Sequence, residues 1–148
     1  MPVADTQLVF GLNPADRHHR AVMDLIRGTQ RLVVPDTAVL EFTSVLRARG
    51  SQVSEVSEAC GALMAILLEN RVEEAHTLGI GLLMDAAELE SGSGLSYFDA
   101  MIAASARSVD SVVVSDDESF DRVPGLVRIP ITPVRKRRAP RADAAGDE

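Results

Sequence analysis

The sequence predicts a three-layer α/β domain, a central parallel sheet flanked by helices, and three observations predict it. Short β-branched runs, Leu32-Val33-Val34 and Val112-Val113-Val114, have the length and composition of strands buried on both faces. Between such runs apolar residues recur every three to four positions, which is helical periodicity, and strands that alternate with helices build a parallel sheet. With 148 residues, 46% hydrophobic and 25% charged, the chain has enough material for one core and too ordinary a composition for general disorder.

Taken in order, Val3-Ala4-Asp5 supplies a first short strand, and Gln7 to Leu12 a short helix stopped by Asn13-Pro14. Arg17 to Ile26 sets Ala21, Val22, Leu25 and Ile26 on one helical face, with Gly28 as the stop. Leu32 to Val34 is the second strand. Asp36 or Thr37 caps a helix that runs to about Arg49 and ends at Gly50. Gln52 or Ser54 opens a long helix through Val56, Ala59, Leu63, Ile66 and Leu67, ending near Asn70. Arg71 to His76 reads as a weak strand, Leu78 to Leu89 as a helix and Ser91-Gly92-Ser93-Gly94 as a flexible break. Ser96 caps a helix through about Arg107, Val112 to Val114 is the clearest strand, and Leu126 to Ile129 is the last. Periodicity ends after Pro133, which predicts one domain over residues 1–132 and a basic, polar, disordered tail over 133–148.

Charge divides the chain unevenly. The formal net is −7, yet residues 135–148 hold five basic and three acidic side chains, which leaves ten basic against nineteen acidic, a net of −9, on the remainder. An acidic body repels nucleic acid at long range, which excludes broad electrostatic coating of DNA. With no Trp, one Tyr and four Phe, the stacking platforms of single-strand binders are missing as well. Chemistry on a phosphodiester would therefore need a cation at the site. The longest apolar run, Cys60 to Leu68, falls far short of the roughly 20 residues of a bilayer span, and Met1 to Asp5 lacks the basic and apolar regions of a signal peptide. The expected location is cytoplasmic, without a membrane. Cys60 is the lone cysteine, and its apolar setting predicts a small core residue.

The informative carboxylates are those in apolar surroundings. Asp99 is the only ionisable group from Tyr97 to Ala106, a segment apolar or small on every side and so predicted to be buried all round. A buried carboxylate needs hydrogen bonds, a partner charge or a metal. Ser96 and Asp99 also fit a capping box, which would account for the helix start alone. Glu41 borders the apolar face formed by Ala38, Val39, Phe42, Val45 and Leu46, either as a surface glutamate or leaning over the core edge. Asp5 closes the first strand, and Asp116-Asp117 follow the Val112 strand after Ser115; ligand sites of parallel sheets lie beyond these strand ends, although Asp is common in such turns. Four acids in one pocket raise each other's pKa unless a divalent cation compensates, and hard oxygen donors without a Cys or His cluster select Mg²⁺ or Mn²⁺ over zinc. His18, His19 and His76 read as surface or capping residues.

These residues resemble a PIN domain, the fold of VapC-type toxins and other metal-dependent ribonucleases. The resemblance runs from Met1 to about Ile129 through Val3-Ala4-Asp5-Thr6, Asn13-Pro14 to His19, Val33-Val34-Pro35 with Val39-Leu40-Glu41-Phe42, Leu95 to Ala106, and Val113 to Phe120. Tyr97-Phe98-Asp99-Ala100-Met101-Ile102-Ala103-Ala104 is its most specific segment. It implies an acidic quartet of Asp5, Glu41, Asp99 and Asp117, with Asp116 as the neighbour able to substitute for Asp117. It implies Mg²⁺ or Mn²⁺ held by Asp5, Asp99 and Asp117, with Glu41 acting directly or through water. Thr6 and Ser115 match hydroxyl residues that hydrogen-bond to site carboxylates or water. The implied activity is endoribonuclease cleavage of RNA, with a homodimeric protein and, for a toxin, an antitoxin partner. Asp121 adds an acid whose role is open.

Other classes compete with that reading. An RNA-processing nuclease without an antitoxin and a non-catalytic PIN-like association module share the fold. A phospho-acceptor receiver domain normally needs a lysine near its aspartate, and the only lysine is Lys136, in the predicted tail. A haloacid-dehalogenase-like phosphatase would need a second aspartate two residues after Asp5, where Gln7 stands.

Overall fold

The computed structural model describes residues 1–133, so the expectation for the tail from Val134 onward lies outside the described residues. Five strands form one sheet: β1 (Val3–Ala4), β2 (Val33–Pro35), β3 (Glu73–Ala75), β4 (Val112–Val114) and β5 (Val127–Ile129). Every pairing is parallel and the spatial order is β3-β2-β1-β4-β5. Among the described residues six helices connect and flank them: α1 (Thr6–Gly11), α2 (His19–Gly28), α3 (Asp36–Ala48), α4 (Val53–Glu69), α5 (Ile80–Ser93) and α6 (Tyr97–Val109). A 3₁₀ turn, Glu118–Arg122, which the sequence reading missed, buries Phe120 completely between β4 and β5.

The chain steps outward from β1 to β2 to β3, then crosses back so that β4 pairs with the other side of β1. This reversal leaves a crevice beyond the carboxyl ends of β1 and β4, the place where open parallel sheets bind ligands. Val3, Ala4, Val34, Val113 and Val114 are fully buried, as central strands covered on both faces require. Helix α6 lies against β1 and β4 and touches α3 and α5, and Ala100 to Ala106 are all buried. Helices α1 and α2 meet at Gly11, where an added Cβ would stand 2.5 Å from Val22 Cγ2.

Several expectations shift. Helix α6 is buried on every side only after its first turn, for Tyr97 is 55% exposed and Asp99 sits at a half-open rim. Ser91 to Ser93 continue α5 instead of breaking it, and only Gly94, at φ 67°, takes the left-handed conformation that stops the helix. Neither Asp36 nor Thr37 occupies the N-cap of α3; Pro35 does, and the Asp36 carboxylate instead accepts from Thr77 N, Thr77 Oγ1 and Leu78 N. These bonds delay the start of α5 from Leu78 to Ile80. Cys60 is half-buried in the wall of an apolar groove beside Leu63, Met64 and Leu67, not in the core. Strand β3 does form, as the charged outer edge of the sheet with Glu73 and Glu74 exposed.

Candidate active site

Asp5 is the first residue beyond β1 and is 6% exposed, its N–H bonded to Val114 O at 3.0 Å. Each of its carboxylate oxygens is held. Oδ1 accepts from Thr6 N at 2.6 Å, and Oδ2 accepts from Ser115 Oγ, just beyond β4, at 2.6 Å. Ser115 Oγ in turn accepts from Asp117 N at 3.0 Å. On the other side Thr6 Oγ1 donates to Glu41 Oε2, so one residue touches both the β1 acid and the α3 acid. The two hydroxyl residues thus join Asp5 to the positions carrying Glu41 and Asp117.

Asp99 enters from the first turn of α6, where Ser96 Oγ accepts its N–H at 3.4 Å, so the capping serine is real. That bond accounts for the helix start and leaves unexplained the electrostatics of the carboxylate. Burial raises the pKa of Asp99, the Ser96 hydroxyl opposes the rise, and the charge of Asp117 adds to it. Burial likewise raises Glu41 against its bond from Thr6, and the charge of Asp99 adds to the rise. Asp5 is pushed up to about 7, first by burial; Ser115 and Thr6 oppose this, and the charges of Asp99 and Glu41 contribute. Asp99 therefore lies within electrostatic reach of the other three acids, which stand just beyond β1, on α3 and just beyond β4.

Asp116 does not join them. Its Oδ1 accepts from Ile131 N at 2.8 Å and Thr132 N at 2.9 Å, and its Oδ2 accepts from Thr132 Oγ1 at 2.8 Å. Burial alone would raise its pKa, but these donors and nearby His18 outweigh burial and lower it. It fastens the segment after β5, while Asp117, the next residue, faces the other acids. Asp121 is likewise occupied elsewhere, accepting two bonds from Arg128, Nε and Nη2 each at 3.0 Å; Arg128 Nη1 also donates to Ser115 O at 3.2 Å. His19 Nδ1 lies 2.9 Å from Gly11 O, and His76 is exposed. Sequence reasoning missed the role of Gln7, whose Oε1 accepts from Asp116 N at 3.2 Å, and nothing in its local sequence signals that bond.

Among the described residues, no three Asp, Glu, His or Cys side chains close tightly enough to enclose a metal ion as they stand. Asp117 spends Oδ1 on Ser119 N at 2.9 Å, and both Asp5 oxygens have protein donors. The donor chemistry nevertheless fits a hard divalent cation: carboxylate and hydroxyl oxygens, with three carboxylates raised first by burial and further by one another's charge.

No curated protein matches the sequence. Among solved structures, the chain is similar to the VapC20 toxin of Mycobacterium tuberculosis, described as cleaving the sarcin-ricin loop, at 20% identity and TM-score 0.63, covering 82% of this chain and 93% of that one. It is similar to FitAcB from Neisseria gonorrhoeae at 17% identity and TM-score 0.64, covering 88% and 98%. DNA-bound VapBC from Salmonella typhimurium gives 20% identity and TM-score 0.60, covering 89% and 100%. These likenesses establish the fold. The PIN domain family model matches residues 3–126, a span that contains all four crevice acids, and the chain belongs to the PIN domain family.

Proposed function

We propose that this protein is a Mg²⁺- or Mn²⁺-dependent endoribonuclease that hydrolyses RNA phosphodiesters in the crevice of Asp5, Glu41, Asp99 and Asp117. The observation that carries the reading is the buried Asp5 carboxylate, linked through Ser115 and Thr6 to the segments bearing Asp117 and Glu41. A carboxylate raised to about 7 by burial and like charge is a group waiting for a cation. Asp5, Asp99 and Asp117 would hold the ion, with Glu41 bound directly or through water; the ion supplies Lewis acidity and makes water a better nucleophile at neutral pH.

The chain's own groups do the rest. Ser115 and Thr6 fix the Asp5 carboxylate so that it does not turn away. Glu41, with Oε2 on Thr6 and a raised affinity for protons, would take a proton from the attacking water as that water's oxygen bonds to phosphorus. The bond to the leaving sugar oxygen then breaks, and that oxygen takes a proton from solvent water. Asp116 supports the site from outside it, holding the β4 end and the segment after β5 together.

The VapC, VapBC and FitAB neighbours favour the toxin of a type II toxin–antitoxin pair, with an antitoxin that blocks the crevice, acting in the cytoplasm. Among the described residues no helix is long and apolar enough to cross a membrane. Exposed apolar side chains on α4 and α5, Leu68 at 73% and Ile80 at 82%, give surface for a homodimer, which light scattering will measure. The central test is cleavage of RNA with Mn²⁺ by the wild type against Asp5→Asn and Asp99→Asn. Both variants should fold and fall to background; full activity in either would end the proposal. A small adjacent gene encoding a DNA-binding antitoxin would separate the toxin from a processing nuclease.

A further inference from the structure

We propose that Thr37 and Ser105 are positioning residues of the crevice: the buried bond between their hydroxyls sets the distance at which α3 and α6 hold Glu41 and Asp99. This rests on the nuclease reading for one of its readouts and adds what fixes two of the acids relative to each other. Thr37 Oγ1 and Ser105 Oγ stand 2.8 Å apart, and both residues are fully buried. The bonds already described tie Glu41 to Thr6 and the Asp99 N–H to Ser96, and neither runs from α3 to α6. The Thr37–Ser105 bond does. Thr37 is one turn before Glu41 on the same face of α3. At about 1.5 Å of rise per residue, the bond lies about 6 Å along α3 from Glu41 and about 9 Å along α6 from Asp99.

That bond belongs to a ring of polar groups. Ser105 Oγ is also 2.8 Å from Thr77 Oγ1, and Thr77 Oγ1 donates to Asp36 Oδ1 at 2.9 Å. A hydroxyl has one proton to give, and an ionised carboxylate only accepts. Thr77 therefore spends its proton on Asp36, and Ser105 shares its own between Thr77 Oγ1 and Met101 O, 3.0 Å away. Thr37 must then donate to Ser105. Because Asp36 and Thr37 are neighbours, the chain of donors closes on itself across the start of α3, the middle of α6 and the segment before α5. Stability does not demand these hydroxyls, since apolar groups of the same shape in place of both partners of a buried bond can be nearly neutral. A hydrogen bond, however, fixes distance and angle between the helices it joins. Misplacing a reacting group by about 1 Å can cost about 100-fold in rate, so the link matters more to the crevice than to folding.

The experiment compares the full chain with Thr37→Val, which keeps the shape and removes the donor, with Ser105→Ala, which removes the acceptor, and with Thr37→Ser, which keeps the donor. For each, Mn²⁺ affinity is read by titration calorimetry, kcat and KM by RNA cleavage at saturating Mn²⁺, and Tm in EDTA. Thr37→Val should weaken Mn²⁺ binding about 10-fold and lower kcat about 10-fold with KM within about twofold, and Thr37→Ser should restore both. Joining Thr37→Val to Ser105→Ala should cost no more than the worse single change, as expected of two residues that share one bond. Ser108→Ala removes a hydroxyl that bonds within α6 to Ser105 O, and should leave Mn²⁺ affinity and kcat unchanged. If Thr37→Val folds poorly, Ser105→Ala carries the same comparison. A lowered Tm with wild-type Mn²⁺ affinity and kcat would reduce the hydroxyls to a structural role and overturn the proposal, as would a loss that Thr37→Ser does not restore. Mn²⁺ affinity that falls and returns in this way, with no RNA cleavage by the wild type, would sink the nuclease reading and leave the positioning role standing.

Discussion

Asp5→Asn should make the metal-free protein more stable at alkaline pH while destroying its activity. An aspartate raised from 3.8 to about 7 on folding keeps its proton in the native state through a window in which the unfolded chain has released it. The native state then binds more protons than the unfolded state, so stability falls as pH rises through that window. Asp5's contribution is intact below pH 3.8 and gone above about 7. Three pKa units at ~1.4 kcal/mol each give about 4 kcal/mol as the size of the loss. An amide in place of the carboxylate keeps an acceptor for Thr6 N and a polar partner for Ser115 Oγ but carries no charge at any pH.

Urea unfolding followed by circular dichroism in EDTA, at intervals from pH 5 to 8, measures this directly. The wild type should lose stability from pH 5 to about 7 and level off above it. The variant should be nearly flat and exceed the wild type at pH 8 by up to about 4 kcal/mol, on the order of 10 °C in Tm for a chain this size. Glu41 and Asp99 are raised as well, so a small residual slope of the same sign remains in the variant. Asp36, Asp116 and Asp121 are lowered, and their stabilisation is lost only as pH falls below the ordinary carboxylate range, outside this window. Mg²⁺ at pH 8 should raise the Tm of the wild type more than that of the variant. Parallel curves for the two proteins would refute the argument, because they would mean that Asp5 is charged at no cost where it sits.

Ser115→Ala removes the donor to Asp5 Oδ2 and the acceptor of Asp117 N; cleavage should drop ~10–100-fold and the acid limb of the pH–rate profile should move upward, and an unmoved limb counts against the link. Asp117→Asn should abolish cleavage, whereas Asp116→Ala should keep kcat and lose about 1–3 kcal/mol in urea by stranding Ile131 and Thr132; the reverse pattern would exchange their roles. Gly11→Ala drives a methyl into Val22 and should lower stability by about 1–3 kcal/mol, so an unchanged Tm would show that α1 and α2 separate freely.

What the sequence disclosed follows the physics of each element. Strands β1, β2 and β4 are legible because burial on both faces demands unbroken runs such as Val112-Val113-Val114. Strand β3 is nearly illegible, since an edge strand needs only backbone pairing and Glu73 and Glu74 face solvent. Gly92 looked like a break, yet an exposed helical glycine costs only about 1 kcal/mol, and packing of α5 on α6 carries the helix past it. Asp5 and Asp117 were legible as carboxylates at strand ends, Asp99 as one inside an apolar helix and Glu41 as one bordering an apolar helix face. Their ordering was not. Adjacent residues after β4 point different ways, and nothing local to Asp116-Asp117 says which one turns inward. That choice is made fifteen residues later: Ile131 and Thr132 offer backbone donors to Asp116. With Asp116 held there, Asp117 is the acid left to face Asp99.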